Sequence, residues 1–467
     1  MSNNSSSSTV PWWRLLSRYH WFVLIVAALG WLLDTMDQQL FALARVPAMR
    51  ELLPGAPGAG ATAAEIAARA AQVAKYSGYA TSVFLLGWAT GGLTFGMLGD
   101  RIGRAKTMMW TILIYSLCTG LSAFSVGFWD FAFYRFITGL GVGGEFAVGV
   151  ALVAETMPDA ARPQAIGLLQ ALSTVGNVTA ALISISFGHL EQSGHIGSAW
   201  RAMFIVGAFP ALLAILVRRN LKEPERWQQI KKTPVKGQLG SYAELLGNPV
   251  WRRRALLGMA LACCGVIGLW GIGFFSIDLI RSVLRKTFEA EGLTGAALDG
   301  RLTKWAGIAS MMVNFGAFFG IYGFSVVAQR IGRLPTFAIG LVLACVSTGL
   351  VFWNLRSFTD IFWMLPLMGL CQLSLFGGFA VYFPELFPTH LRSTGVSFCY
   401  NVGRFVAALG PSALGYLTGV VFKDKPEPMR YAGLAMCSIF LLALFVLPFL
   451  PETKGQPLPE SDRGLSH

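Results

Sequence analysis

The chain has 467 residues and a formal net charge of +13; 54% of its residues are hydrophobic and 13% are charged. Soluble domains carry roughly a quarter charged residues, so the composition excludes an ordinary soluble globular protein. Apolar runs of about 20 residues, each long enough for one helix across a bilayer core of roughly 30 Å, recur along the whole length. The predicted fold class is therefore an all-α membrane protein.

The apolar runs predict twelve membrane-spanning helices. The first ten residues lack the layout of a cleavable signal peptide, so we expect the first helix to be retained. In chain order the predicted spans are 20–43, 76–98, 106–126, 129–153, 162–187, 200–217, 253–280, 303–328, 334–354, 358–383, 393–420 and 429–450. The predicted domains are an N-terminal tail (1–19), a six-helix bundle (20–217), a charged central loop (218–252), a second six-helix bundle (253–450) and a C-terminal tail (451–467).

Lysine and arginine are concentrated in the central loop, as in the run Arg252–Arg254. The positive-inside rule therefore places that loop, and with it both termini, in the cytoplasm. We expect a multi-pass protein of the plasma (inner) membrane, monomeric, with the bilayer as its surroundings. The rule also explains the net charge, so no nucleic-acid partner is expected.

Two segments of the chain recur at almost one offset. The Arg-Ile-Gly-Arg segment Arg101–Arg104 returns 229 residues later as Arg330–Arg333. The pattern Glu-x-x-Pro-x-x-x-Arg of Glu155–Arg162 returns after 230 residues as Glu385–Arg392. Such paired matches predict two related halves.

Charged residues inside the spans are the first candidates for a functional site, because each is costly to place in a bilayer. Asp34 and Asp37 in the first span are three residues apart, hence on one helix face. Two close carboxylates do not both ionise easily in a low dielectric, so the pair can carry a proton. The alternative is that they cap or salt-bridge neighbouring helices.

The fourth span carries Arg135 and Glu145 around a glycine-rich run. The glycines indicate close helix packing. The two charged residues lie about 15 Å apart along the helix axis, so each needs a partner on another helix, and the Asp34/Asp37 pair is one candidate for Arg135. Glu145 is interpreted either as a proton-coupling residue or as a buried hydrogen-bond acceptor.

In the eleventh span Asn401 and Arg404 lie on one helix face. Arginine stays charged and offers a planar fork of donors suited to a carboxylate, so Arg404 is the candidate anchor for an anionic substrate. The alternative is a permanent pair with an acidic residue of the protein. Gln372 and Tyr382 are weaker candidates for the same cavity.

Other kinds of site find no support in the residues. The seven cysteines all lie inside predicted spans without metal-ligand spacing, so we expect neither a disulfide framework nor a metal site. The five histidines are scattered. Since no nucleophile or phosphate-loop constellation is present either, we expect no cofactor and no enzyme activity.

The chain resembles the major facilitator superfamily over essentially its whole length. Gly96-x-Leu-x-Asp100-Arg101-x-Gly103-Arg104 is similar to its signature loop between helices two and three, and Arg135-x-x-x-Gly139-x-Gly141 is similar to its helix-four motif. Glu223–Trp227 and Pro451–Gly455 resemble segments of the sugar-porter and organic-ion branches.

Within the superfamily the chain most resembles bacterial organic-acid/proton symporters of the sialate/lactate and aromatic-acid types. The likeness rests on the acidic pair of the first span, on Gly143-Gly144-Glu145 and on Asn401 with Gly403-Arg404. It implies alternating access, in which two six-helix bundles rock about a central site.

The resemblance also implies a gate on the cytoplasmic side. Its charge contacts would involve Asp100, Arg101 and Arg104 next to Gly96 and Gly103, together with Glu155 and Arg162. The second-half counterparts are Arg330, Gly332, Arg333, Glu385 and Arg392. Gln329 stands where the acidic residue of the motif would be, so this half of the gate should be weaker.

The predicted function is proton-coupled uptake of a small organic anion such as a monocarboxylate, an aromatic acid or a sugar acid. Arg404, Asn401 and Arg135 would bind the anion; Asp34, Asp37 and Glu145 would carry the proton. Three alternatives stay open: a sugar or polyol symporter, a proton-antiport efflux carrier, and a membrane sensor that binds ligand without moving it.

Overall fold

The computed structural model describes residues 11–55, 62–214, 221–232, 239–269, 274–293, 295–407 and 416–459. Within these ranges the regular secondary structure is helical. The α-helices are α1 (Arg18–Leu52), α2 (Ala63–Ile102), α3 (Arg104–Ser122), α4 (Phe128–Thr156), α5 (Arg162–Ala171), α6 (Ser173–Gln192), α7 (Ala199–Val206), α8 (Glu225–Lys232), α9 (Tyr242–Gly247), α10 (Pro249–Ile267), α11 (Phe274–Ala290), α12 (Gly295–Ile331), α13 (Arg333–Asn354), α14 (Phe358–Leu386), α15 (Arg392–Ala407), α16 (Pro428–Met436) and α17 (Ser438–Leu442).

Helices occupy most of the described residues of all twelve predicted spans. Among the described residues, eight segments are long and apolar enough to cross a membrane, the longest being α1 with 35 residues. The third, sixth, seventh and eleventh predicted spans fall outside this set. The described residues of the seventh lie mostly in α10 and α11. The arrangement is that of two six-helix bundles.

The second helix begins earlier than its predicted bound of 76. Thr62 accepts a hydrogen bond from the backbone N–H of Glu65 through its side chain, and the Glu65 carboxylate accepts one from the Thr62 N–H at 2.7 Å. This reciprocal capping satisfies two donors that a helix N-terminus otherwise leaves unpaired. The α2 helix therefore extends well beyond the apolar run from which it was predicted.

Gly103 and Gly332 make the same turn in the two halves. Their φ angles of 120° and 107° lie in the region that favours glycine, and each residue separates two consecutive helices. Thr107 donates its hydroxyl to the Gly103 carbonyl at 2.8 Å, and Thr336 donates to the Gly332 carbonyl at 2.6 Å. The repeated sequence thus forms a repeated structure.

The same offset also appears in the packing between helices. A Cβ atom at Gly87 or Gly91 of α2 would collide with the α4 backbone at Phe136 or Leu140. In the second half, Gly316 and Gly320 of α12 meet the α14 backbone at Pro366 and Leu370 in the same way. Small residues let helices approach closely in a bilayer, so each half contains one tightly packed helix pair.

The two halves meet along two seams. Along one seam, Gly92 and Gly96 of α2 pack against Asn401 and Ser397 of α15. Along the other, Asn177 of α6 donates its side-chain amide to Asn314 of α12 at 3.0 Å. Between the seams lies a cavity that is lined by both halves.

Candidate functional site

The cavity between the halves has a volume of about 360 Å³, within the usual size of small-molecule sites. Its wall is formed by α1, α2, α5 and α6 of the first half and by residues of α11, α12, α14 and α15 of the second. The described wall residues are mostly aromatic, aliphatic, amide or hydroxyl side chains. Arg45 and Arg404 are the charged members among them.

Arg404 is buried in this wall against aromatic rings. Its Cζ atom lies 3.7 Å from the centroid of the Trp88 ring and 4.6 Å from that of Tyr400. Nε and Nη1 have no hydrogen-bond partner among the described residues. In the described part of the chain, no carboxylate oxygen lies within 4.0 Å of an Arg404 nitrogen, the distance that defines an ion pair. The cation therefore keeps donors for a ligand.

Asp34 lies behind the cavity wall, one helix turn from Gln38. The Gln38 side chain, which lines the cavity, donates from Nε2 to Asp34 Oδ2 at 3.1 Å. The second carboxylate oxygen, Oδ1, is buried and has no hydrogen-bond partner in the ranges that the structure covers. Asp34 is within electrostatic range of Glu145 and Arg404, so its charge acts on both.

Asp37 has different surroundings. Both of its carboxylate oxygens are buried without a hydrogen-bond partner among the described residues, and the carboxylate interacts electrostatically with Arg135. Arg135 Nη2 donates to the Thr119 hydroxyl at 3.2 Å, and its guanidinium lies 4.7 Å from the centroid of the Phe204 ring. Arg135 and Asp37 are thus both buried inside the first half, outside the described cavity wall, and Asp37 interacts electrostatically with Arg135 and with Asp34.

Glu145 of α4 lies against α1, the helix that carries Asp34. The Thr111 hydroxyl donates to Glu145 Oε2 at 2.5 Å. The other oxygen, Oε1, is 2.6 Å from the position that a Cβ atom at Gly30 would occupy, one turn before Asp34. Glycine at position 30 therefore makes room for a second buried carboxylate beside the first.

Three further predicted residues lie outside the described cavity wall. Asn401, one turn before Arg404, donates from Nδ2 to the Ser397 carbonyl at 3.1 Å. Gln372 donates to the Gly268 carbonyl at 3.1 Å. Tyr382 donates its hydroxyl to the Pro451 carbonyl at 2.6 Å, which places it near the end of the second half that carries Gly332.

We call the face of the molecule that carries Gly103 and Gly332 the gate face. There, Glu155 Oε1 accepts from Arg104 Nη2 of its own half at 2.9 Å and from Arg392 Nη1 of the other half at 2.8 Å. Arg104 Nη2 also donates across to the Thr389 carbonyl at 2.7 Å. These contacts hold the halves together on this side.

Asp100 adds a cap to the gate. Its carboxylate accepts from the backbone N–H groups of Ser393 and Thr394 at 3.1 and 2.8 Å, at the N-terminus of α15. A negative charge at that end of a helix is favourable. The corresponding Gln329 is neutral and bonds Gln164 and the Ala160 carbonyl, so the two sides of the gate differ in charge.

The remaining predicted gate residues make contacts mostly within their own half. Arg333 pairs with Glu385 at 2.8 Å, as Arg104 does with Glu155. Arg162 pairs with Asp159, whereas its counterpart Arg392 crosses to the other half. The further contacts are Arg101 Nε to the Leu239 carbonyl at 3.1 Å and Lys454 Nζ to the Arg330 carbonyl at 2.8 Å.

Sequence reasoning missed two carboxylates that cap helices at the gate face. Glu223 accepts from the N–H groups of Ala105 and Lys106 at the start of α3. Glu452 accepts from Arg333 and Leu334 at the start of α13. The offset from Glu223 to Glu452 is again 229 residues, so the repeat already contained the signal.

Four backbone donors converge on Glu452. Besides Arg333 and Leu334, the N–H groups of Thr453 and Lys454 donate to its carboxylate, both at 2.9 Å. Burial alone would raise the pKa of Glu452, but the four donors outweigh it and hold the pKa below its usual range.

Cavity and gate together define one conformation. The halves are joined at the gate face, while the cavity reaches from Trp31 to Arg45 along α1 and from Trp88 to Thr81 along α2. In this order, the residues on both helices lie progressively farther from the gate face. The cavity therefore extends away from the gate.

Comparison with known proteins agrees with this architecture. The family model for the sugar (and other) transporter matches residues 54–239 and again residues 240–465, which covers most of both halves. A candidate metabolite transport protein of Haemophilus influenzae is 30% identical over 453 residues, covering 95% of this chain and 99% of its own.

Two other similar proteins extend the comparison. A cis,cis-muconate transport protein of Acinetobacter baylyi is 29% identical over 346 residues, covering 73% of this chain and 78% of its own. The structure of the proton:xylose symporter XylE superposes with a TM-score of 0.70 at 17% identity, covering 94% of this chain and 98% of that one. The last likeness concerns the fold. The chain belongs to the sugar (and other) transporter family of the major facilitator superfamily, and it is a multi-pass membrane transporter rather than an enzyme.

Proposed function

We propose that the protein couples the uptake of a small organic anion to the movement of protons. The observation that carries the proposal is Arg404, a buried cation in the cavity wall that has unused donors and no ion-paired carboxylate among the described residues. A sugar site would have no need of such a charge. The muconate transport activity of a relative supports the same class of substrate.

Arg404 binds the carboxylate of the substrate. Its guanidinium is stacked on Trp88 and oriented by Tyr400, so its planar fork of donors is held in place before the ligand arrives. Charge-assisted bonds from arginine to a carboxylate are roughly twice as strong as neutral ones. Gln38, between the cavity and Asp34, is positioned to contact both the substrate and the carboxylate.

Asp34 carries the proton. While it is ionised, its negative charge offsets that of Arg404, with which it interacts electrostatically. When Asp34 takes up a proton, Arg404 is left with an uncompensated positive charge, which favours the anion. Proton and anion binding therefore assist each other, as coupling between two sites requires. Glu145 is a second proton acceptor beside it.

Arg135 and Asp37 act as positioning residues. Arg135 of α4 donates to Thr119 of α3 and interacts electrostatically with Asp37 of α1, which links these helices close to Asp34. Since Arg135 makes its contacts inside the first half, it supports the site without touching the substrate.

Transport follows from opening and closing the two faces in turn. With the gate face on the cytoplasmic side, as the lysine and arginine distribution predicts, the present conformation would accept substrate from outside. The gate contacts of Asp100 and Glu155 would then break as the bundles 20–217 and 253–450 rock about the cavity, and proton and anion would leave together. Co-transport of one proton with a monoanion removes an opposing electrical term of about 2.3 kcal/mol per 100 mV.

The test is uptake of labelled carboxylates and sugars into proteoliposomes with an imposed pH gradient. Wild type is compared with Arg404→Ala and with Gln39→Ala, a neutral change in the same cavity wall. We expect carboxylate uptake that requires an acidic exterior, that disappears in R404A and that continues in Q39A. Sugar uptake that survives R404A, or carboxylate uptake without gradient dependence, would refute the proposal.

A further inference from the structure

Aromatic rings form the end of the cavity that lies toward the gate face. On α1, α14 and α15 the described wall residue nearest the gate is aromatic in each case: Trp31, Phe376 and Tyr400. Phe146 of α4 lies behind them. Its ring centroid is 5.2 Å from that of Trp31 and 4.0 Å from that of Tyr400, and the Phe146 and Tyr400 rings are inclined by 23°. These rings therefore close the cavity on its gate side.

The stack of Phe146 on Tyr400 joins the two halves. Phe146 belongs to the first bundle and Tyr400 to the second, and both side chains are buried. Along α4, Phe146 lies nine residues before Glu155, and along α15, Tyr400 lies eight residues after Arg392. Both spacings correspond to about 12–14 Å of helix. The stack is thus a second contact between the halves, deeper in the molecule than the ion pair of Glu155 with Arg392.

Tyr400 also contacts the residue that is proposed to bind the anion. The Cζ atom of Arg404 lies 4.6 Å from the centroid of the Tyr400 ring, and a cation is attracted to the electron-rich face of such a ring. A carboxylate bound to Arg404 neutralises the cation and weakens its attraction for the ring. The guanidinium keeps its packing against Trp88 at 3.7 Å. Anion binding therefore loosens Tyr400 without displacing Arg404.

We propose that Phe146 and Tyr400 form an inner seal, and that Tyr400 is the positioning residue through which anion binding at Arg404 releases it. This inference rests on the proposed function, because it needs an anion at Arg404. In the empty transporter the Arg404 cation holds Tyr400 in place, so the rings stay stacked and the halves stay together. In the loaded transporter the stack separates at a lower free-energy cost, and the halves rock apart.

The experiment measures how a bound acid changes the gate. Spin labels at Ile102 and Ile331, in a background without the native cysteines, report the open population at a fixed pH with and without acid. The acids are lactate, benzoate and gluconate, one from each proposed substrate class, and their equilibrium binding is measured in parallel. The variants Tyr400→Leu and Phe146→Leu each remove one ring and keep an apolar side chain, whereas Tyr400→Phe keeps the ring.

Phe376→Leu is the matched control. The Phe376 ring lies 6.2 Å from that of Tyr400 but belongs to the same half. Removing it takes a ring from the end of the cavity and leaves the stack between the halves in place. We therefore expect F376L to respond to the acid as the wild type does.

In the wild type and in Y400F we expect the bound acid to raise the open population. In Y400L and F146L the ratio of open to closed molecules should be about threefold to tenfold higher before any acid is added, the range that one aromatic pair supports. The acid should raise it little further. Y400L should still bind the acid, since Arg404 and Trp88 are unchanged.

Other outcomes overturn the inference. If Y400L keeps the wild-type response to the acid, Tyr400 does not transmit binding to the gate. If F376L opens the gate as much as F146L does, the effect reports a general loss of packing rather than the stack between the halves. In both cases the proposed function survives, provided that Arg404→Gln abolishes binding of every acid.

A failure of the proposed function looks different. If none of the acids binds the wild type, or R404Q binds them equally well, the proposed function fails, and the release of the seal by an anion fails with it. The open population of F146L without acid still decides whether the two rings hold the halves together. A population equal to that of the wild type would overturn the seal by itself.

Discussion

Arg404 and Asp34 show how a membrane protein keeps charges available inside the bilayer. Removing an ion from water costs several kcal/mol even after relaxation, and the usual compensation is a close partner of opposite charge. Here the arginine is stabilised instead by the π faces of Trp88 and Tyr400 and by a carboxylate at longer range. The balance is incomplete, so a proton on Asp34 or an anion near Arg404 changes it.

Replacing Asp34 by asparagine should separate binding from coupling. The amide that replaces the carboxylate cannot ionise, so we expect D34N to bind carboxylates with an affinity that varies less with pH than that of the wild type and to exchange them across the membrane. It should not accumulate them when a pH gradient is applied. Uptake, counterflow exchange and equilibrium binding between pH 5 and 8 are the measurements.

Asp37→Asn is the control for this variant. It removes the negative charge that interacts electrostatically with the buried Arg135, and a buried charge without compensation is costly. We therefore expect D37N to lower the yield of folded protein. Concentrative, gradient-dependent uptake by D34N would contradict the role given to Asp34.

At the scale of single elements, the starts of α3 and α13 are built alike. Each follows a glycine with positive φ, and each has a glutamate from a distant segment on its first backbone N–H groups. Glu223 comes after the last span of the first half and Glu452 after that of the second. These contacts tie the end of each bundle to its gate loop.

Removing Glu452 should destabilise the second half more than removing Glu223 destabilises the first. Loss of a helix N-cap costs about 1 kcal/mol, and Glu452 satisfies four backbone donors against two for Glu223. We expect Glu452→Ala to unfold at a lower denaturing-detergent concentration than Glu223→Ala, with wild type highest.

The pH dependence of this difference checks its origin. The pKa of Glu452 is lowered in the folded protein, so its stabilising contribution is complete above the ordinary glutamate pKa of about 4.3. It is lost as the pH falls through the lowered value. The gap between wild type and E452A should thus be constant from pH 8 to pH 5.5 and narrow only in more acidic solution. A gap that already narrows near pH 6 would contradict this account.

The molecule as a whole is built from two related halves that contribute unequally to the gate face. The carboxylate of Asp100 accepts from the N-terminus of α15. Its counterpart Gln329 is a neutral side chain that bonds the Ala160 carbonyl of the first half. Arg392 crosses to the other half, and Arg162 stays in its own. The contacts that hold the gate face closed are therefore concentrated on one side of the pseudo-twofold axis.

Neutralising Asp100 should shift the molecule toward the gate-open state. A carboxylate with several hydrogen bonds at a helix N-terminus is worth about 1–2 kcal/mol, so we expect D100N to raise the open population roughly tenfold. Spin labels at Ile102 and Ile331, two exposed positions on the gate face, report the separation of the halves. The labels are placed in a background without the native cysteines.

Gln329→Ala is the matched change in the other half. It should alter the distance distribution much less than D100N does, because it removes no charge. Equal shifts in both variants would show that the inequality of the two gates has no energetic weight.

Much of the architecture was predictable because it depends on local patterns. Apolar runs predicted the twelve spans, and one offset predicted the repeat, since neither requires knowledge of which helix lies opposite another. Arg404 was predicted to be functional because a charged residue inside a membrane span is rare, whichever helix packs beside it. The sequence did not indicate that Arg404 lies in the cavity wall, because that depends on how the helices pack.

What could not be predicted depends on partners from distant helices. Asp34 and Asp37 share a helix face, yet Asp34 accepts a hydrogen bond from Gln38 at the cavity, whereas the described residues give Asp37 none. Arg135 was expected near the substrate, but the aromatic rings around it belong to the first half alone. Arg45 lay just beyond the predicted end of its span at 43, so its role in the wall had no signal in hydropathy.

The unsatisfied guanidinium of Arg404 has a practical consequence. An empty transporter holds this group buried and incompletely paired, so a fitting anion strengthens the folded state as a whole. A ligand at a hundred times its Kd raises the free energy of unfolding by about 2.7 kcal/mol. Heating the purified protein in the presence of a library of unlabelled acids would thus rank them by the delay in melting and identify the substrate before any transport assay exists.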